Sequence, residues 1–134
     1  SKSQTAPLDE LLASDPVARD ALEVVRAWAV GEGLVERPKR STIHFILGPG
    51  QEVVVSCYPG SDRVILDMES IADRADVAHL HRLLREIVRP DITDKWPVLR
   101  LDGLPGYWPR LAAEFFPDYL AAHRRLTEMT GSDA

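Results

Sequence analysis

The sequence predicts an α+β fold: a three-stranded antiparallel meander extended by a fourth strand and packed against N-terminal, central and C-terminal helices. The order read from the chain is α-β-β-β-α-β-α-α. Three observations carry this. The apolar runs Ser41–Leu47, Glu52–Tyr58 and Arg63–Glu69 follow one another directly. Only Gly48-Pro49-Gly50-Gln51 and Pro59-Gly60-Ser61-Asp62 separate them, too little chain for a crossover helix, so the strands must pair antiparallel. Apolar residues at helical spacing flank the three runs on both sides.

Element by element, residues 1–14 read as a flexible leader with a short helical turn at Leu8–Ala13, followed by a single domain over 15–130 and a frayed tail at 131–134. Asp15 and Pro16 suit the cap and first position of a helix. Val17, Ala21, Val24, Val25 and Trp28 continue it as one stripe to about Val30, where Gly31 and Gly33 end it. Glu36 to Arg40 is a charged approach to the first strand.

Within the meander, Ile43, Phe45 and Leu47 alternate with Thr42, His44 and Ile46. Val53, Val55 and Cys57 alternate with Val54, Ser56 and Tyr58, and Val64, Leu66 and Met68 alternate with Ile65, Asp67 and Glu69. One face is therefore buried and the other partly wet. If the helices all lie on the buried side, the phase containing Thr42, His44, Ser56, Tyr58, Asp67 and Glu69 is the open polar surface where a ligand belongs.

A second helix spans about Arg74–Val88 and stops before Pro90. The fourth strand is Val98–Leu101, entered through Trp96-Pro97. After the turn at Gly103, Pro105 and Gly106, a short helix starts near Tyr107 with Pro109 at its beginning. It breaks at Pro117, and a last helix runs to Glu128.

Bulk composition narrows the function classes. The chain has 134 residues, 45% apolar and 28% charged, with a net charge of −5 and a pI near 5.3. An acidic balance makes a broad nucleic-acid surface unlikely, since phosphate contacts need clustered cations. No apolar run is long enough to span a membrane and no signal peptide is visible. The single Cys57 cannot form an internal disulfide and fits a reducing cytoplasm. Arginine outnumbers lysine about four to one, as in GC-rich bacterial genomes. The chain begins without methionine, as a trimmed chain or a domain cut from a longer protein would.

No chemical signature stands out. His79 and His81 are two apart on a helix and point to different sides, whereas helical metal pairs need three or four. Neither His44 nor His123 has a local partner of ligating type. Cys57 lies in the buried phase, unlike a nucleophile. Nucleophile elbow, Walker loop and dinucleotide fingerprint are all missing. Gly48-Pro49-Gly50 joins two strands and so lacks the helix N-terminus of a phosphate loop. Arg37–Arg40 reads as a solvated loop, and Arg124-Arg125 as cations complementing a helix end. No cofactor is implied.

Two features invite function. The aromatic residues Trp96, Tyr107, Trp108, Phe115, Phe116 and Tyr119 crowd one stretch, three of them beside prolines. An exposed ledge built from Trp108, Tyr107, Trp96 and Tyr119 predicts a protein partner or a homodimer. The element order is also that of the restriction-type nuclease core, with Glu52 opening the second strand and Asp67 and Glu69 ending the third as oxygen ligands for a metal. The Glu-x-Lys of those enzymes is missing, because Ile71 stands two after Glu69. The sequence therefore predicts a non-enzymatic protein-interaction or accessory module of a bacterial cytoplasmic protein. The alternative is a nuclease-like accessory domain of a DNA-processing or defence protein, metal-dependent or degenerate. A small-molecule sensor with a pocket between the sheet and the last helices is a third reading.

Overall fold

The computed structural model describes residues 6–48 and 51–133. Its elements are α1 (Ala6–Ser14), α2 (Pro16–Gly31), β1 (Val35–Lys39), β2 (Thr42–Leu47), β3 (Glu52–Tyr58), β4 (Arg63–Leu66), α3 (Arg74–Ile87), β5 (Val98–Arg100), α4 (Leu104–Glu114) and α5 (Phe116–Asp133). The α+β class holds, with one helix and one strand more than the sequence reading supplies. Among the described residues no helix is long and apolar enough to cross a membrane.

Local chemistry sets most element boundaries. The Asp15 side chain accepts from the Ala18 amide at 3.1 Å and Pro16 opens α2, as anticipated. At the other end the Gly33 amide donates to the Val30 carbonyl and the Leu34 amide to the Ala29 carbonyl. That pair of bonds is a Schellman closure, and it requires the left-handed φ of +75° that Gly33 adopts. Leu34 then drops into the core and the chain enters β1.

Two corrections concern the N-terminal part. The helical turn expected at Leu8–Ala13 is a full helix over Ala6–Ser14, anchored by Leu8 at 3% exposure, within a leader that the sequence otherwise reads as flexible; residues 1–5 lie outside the described residues. The charged approach is β1, an edge strand whose five residues are all exposed and so show no alternation to read. Its ladder with β2 runs from Val35 opposite Ile46 to Lys39 opposite Thr42. Arg26 of α2 also grips Glu36 in a bidentate pair, 2.9 and 3.0 Å. With both side chains more than a third exposed, that pair contributes at most about 1 kcal/mol. The ladder dominates.

The sheet order is β1-β2-β3-β4-β5, every neighbouring pair antiparallel. Residues directly opposite share a face. One face carries the rows Pro38-Ile43-Cys57-Val64-Leu99 and Glu36-Phe45-Val55-Leu66. From Ile43 to Leu99 and from Phe45 to Leu66 these residues are 0 or 1% exposed and form the core with the helices. The other face carries Arg37-His44-Ser56-Ile65-Val98, with Lys39-Thr42 and Tyr58-Arg63-Arg100 on one side of that row and Val35-Ile46-Val53 on the other. Its apolar residues stand outside the core cluster, but the face is not bare: Ile46 is 2% exposed and Ser56, in the central row, 9%. The core cluster lies on one side of the sheet only.

A bulge on β3 alters the predicted alternation. Phe45 faces Val55 and Ile46 faces Val53, leaving Val54 as the extra residue. Val54 turns into the core at 0% exposure and Val53 turns outward, the reverse of the phase read from sequence. The β3–β4 ladder stops just there, at Val55 opposite Leu66. Its next rung would join Val54 to Asp67. The buried Tyr119 hydroxyl of α5 fills that rung instead, donating to the Val54 carbonyl at 2.5 Å and accepting from the Asp67 amide at 2.8 Å. Meanwhile β4 stays with the approach to β5, the Leu66 amide donating to the Pro97 carbonyl and the Met68 amide to the Lys95 carbonyl.

At the C-terminal end, α4 begins at Leu104 with Pro105 in its first turn, so Pro109 falls inside the helix and not at its start. Both prolines are exposed, and water can satisfy the carbonyl that Pro109 leaves without an amide. The break before Pro117 is as predicted, and α5 continues past Glu128 to Asp133. The Pro49-Gly50 part of the first hairpin joint lies outside the described residues.

Tyr119→Phe removes the hydroxyl while keeping the ring. It strands the buried Val54 carbonyl and the part-buried Asp67 amide, so a loss of about 1–3 kcal/mol is expected in urea unfolding. A variant as stable as the parent would show that the ladder closes without the hydroxyl.

Candidate functional site

The sheet face opposite the core cluster is the candidate site, and its centre is the gap between β3 and β4. The Met68–Lys95 and Leu66–Pro97 bonds set Trp96 opposite Asp67, on the open face. Trp96 is 50% exposed. Beside it lies an open pocket of about 390 Å³, lined by Val53, Ser56, Tyr58, Ile65, Leu66, Asp67 and Trp96. Aliphatic and aromatic groups form most of its wall. Ser56, Tyr58 and Asp67 belong to the phase that the sequence marks as the open polar surface. Val53 reaches the pocket only because of the bulge, which no pattern in the chain announces.

The Asp67 carboxylate is already engaged. It accepts from the Ser70 amide at 3.1 Å and from the Ser70 hydroxyl at 2.5 Å, holding the turn that follows β4. Its carbonyl accepts from His123 Nε2 at 2.9 Å.

Next to the pocket, His44 Nδ1 and Ser56 Oγ are 2.9 Å apart. Burial lowers the His44 pKa below its ordinary 6.5, and the Lys39 and Arg37 charges lower it further. The imidazole is therefore neutral near pH 7. Such a neighbouring pair resembles the start of a nucleophilic arrangement, but among the described residues no carboxylate orients the ring. Its role is to satisfy two polar groups on a sheet surface.

Placing the other predicted site residues corrects the aromatic ledge. Trp108 is 2% exposed and Tyr119 is 0%. They belong to a ladder of rings along the helical layer: Trp28–Phe116 at 4.3 Å, Trp108–Phe116 at 4.7 Å, Phe115–Tyr119 stacked at 5.1 Å and Tyr119–His123 edge-on at 4.8 Å. Large rings bury well over a hundred Å² each, and core packing outweighs any gain from display. Tyr107 is half-buried, its hydroxyl donating to the Arg100 carbonyl at 3.1 Å. Of the four, Trp96 alone is exposed.

The metal reading fares no better. Among the described residues no group of three His, Cys, Asp or Glu side chains could hold a metal ion, so Glu52, Asp67 and Glu69 do not assemble a ligand set. Glu69 points into solvent beyond β4, and Asp67 is tied to Ser70. His79 and His81 diverge as their spacing requires. His79 Nε2 donates to Asp118 at 2.8 Å while Arg82 donates to its Nδ1; His81 Nε2 donates to the Asp94 carbonyl at 2.8 Å. Cys57 is fully buried, and desolvation pushes its thiol up to about 12. A thiol so placed is no nucleophile.

No protein-family model, curated protein or solved structure matches this chain.

The fold holds His44 neutral, so the unfolded chain takes up a proton first as pH falls through 6.5. Stability is therefore fully present above that pH and declines below it. His123, whose pKa burial also lowers, adds to the decline. In an NMR titration the His44 ring should titrate below 6.5, and Arg37→Gln should move it upward. A ring titrating above 6.5 would contradict the field that Lys39 and Arg37 set at this face.

Proposed function

We propose that this chain is a non-enzymatic protein-interaction module, an accessory domain of a bacterial cytoplasmic protein, which receives a partner on the open face of its sheet. One observation carries the reading. A five-stranded sheet keeps the core cluster on one side and carries on the other a half-exposed Trp96 beside a mostly apolar pocket. Exposed apolar surface around an aromatic residue is the usual mark of an interaction site, and Trp is among the residues that dominate binding energy.

The β1 edge of the sheet is a poorer place for a partner than the face. Edge strand β1 lacks an amide at Pro38 and carries Glu36, Arg37 and Lys39, which discourage strand addition. Composition supports the setting, through the arginine bias and the reduced, buried Cys57.

Two substitutions and a cross-linker test the reading. Trp96→Ala should leave stability within about 0.5 kcal/mol of the parent, as surface changes do. Trp108→Ala should cost about 3–5 kcal/mol, as truncating a core tryptophan does. A photoreactive residue at Tyr58, which lines the pocket, should then capture one defined protein in cells, and the same residue at Glu23, exposed on α2, should not. Equal capture from both positions, or from neither, would sink the proposal. Capture of the chain itself would identify the partner as a second copy.

A further inference from the structure

We infer that the occupant of this face is an acidic amphipathic segment of another polypeptide, with one bulky apolar side chain inserted in the pocket beside Trp96. The inference rests on the interaction reading and adds the partner's chemistry. Its basis is a charge distribution opposite to that of the whole chain. The molecule carries −5, yet the open face displays Arg37, Lys39, Arg63 and Arg100. Among the described residues Arg37, Lys39 and Arg63 make no ion pair, and Arg100 is held between Asp62 and Asp102 at the rim. The one carboxylate within the rows of this face is Asp67, already bonded to Ser70.

Charge and apolarity are also segregated. Lys39, Arg63 and Arg100 occupy one end row of the face, and Arg37 stands at the β1 edge of the central row. The apolar groups Val35, Val53 and Trp96 occupy the opposite end, beyond Ile65 and Val98. A segment crossing the strands would therefore meet carboxylate-seeking groups along one flank and apolar groups along the other. Five strands about 4.8 Å apart make a face about 20 Å wide. An α-helix of about 13 residues spans that distance.

Two other occupants fit less well. Among the described residues a second copy offers on its own open face only carboxylates already engaged: Asp67 by Ser70, and Asp62 and Asp102 at the rim by Arg100. Single-stranded nucleic acid stacks its bases on flat rings, and the centre of this face is His44, Ser56, Ile65 and Val98 instead.

The test is selection of a random displayed peptide library on the immobilised chain, with fold checked by circular dichroism for each variant. Enriched peptides should combine Asp or Glu with large apolar residues. Their affinity should fall with salt, and fall at least about tenfold in the double variant Arg37→Glu, Arg63→Glu, the equivalent of about 1.4 kcal/mol. Enriched peptides that need Trp96 but carry no acidic residues would overturn the inference and leave the docking face standing. A selection yielding nothing that Trp96→Ala abolishes would overturn both. Preferential capture of polyuridylate over every peptide would replace the acidic segment with nucleic acid.

Discussion

The Tyr119 hydroxyl is the contact on which the rest of the structure depends. It stands where a backbone rung should be, between the Val54 carbonyl and the Asp67 amide, and it reaches there from a helix. The Val54 carbonyl is buried and the Asp67 amide part-buried, so losing the hydroxyl would leave the acceptor without water and the donor poorly served. The depth at which α5 sits on the sheet is thus fixed by a hydrogen bond as well as by packing. The rings stacked on Tyr119 carry that constraint along the helical layer to Trp28 and Trp108.

The same contact explains the candidate site. Where a helix residue replaces a ladder rung, β3 and β4 separate, and the bulge at Val54 swings Val53 to the far side. The approach to β5 follows β4 past the gap and delivers Trp96 there. A pocket on one face of the sheet is consequently a product of packing on the other. Polar and apolar roles divide accordingly: the inner rows hold the fold, and the outer rows are free to vary in chemistry.

Much of the fold was legible in the residues, and its failures have physical causes. The meander, the capped start of α2, the glycine stop and the break before Pro117 all rest on local rules with strong steric origins. Strand β1 was not legible, because a fully exposed edge strand has no hydrophobic period and Pro38 argues against one. The phase of β3 failed at a bulge, a feature set by the neighbouring strand and by Tyr119. Of the site, the open face and its residues His44, Ser56, Tyr58 and Asp67 followed from alternation. Which aromatics it would expose did not, since Trp96 and Trp108 have similar neighbours in sequence, each standing before a proline. Only tertiary packing distinguishes them.

The meander has a bearing on how the chain reaches this state. Each strand lies beside its nearest neighbour in sequence along most of the sheet, so hairpin closure involves short loops. The Tyr119 contacts instead span 52 and 65 residues. Closing a loop of that size costs about 2–3 kcal/mol more entropy than closing a hairpin of a few residues. Strand pairing can therefore run ahead of helix docking, and the β3–β4 gap would be the last part of the sheet to acquire its register. The candidate face, on this account, matures only when the helices have docked.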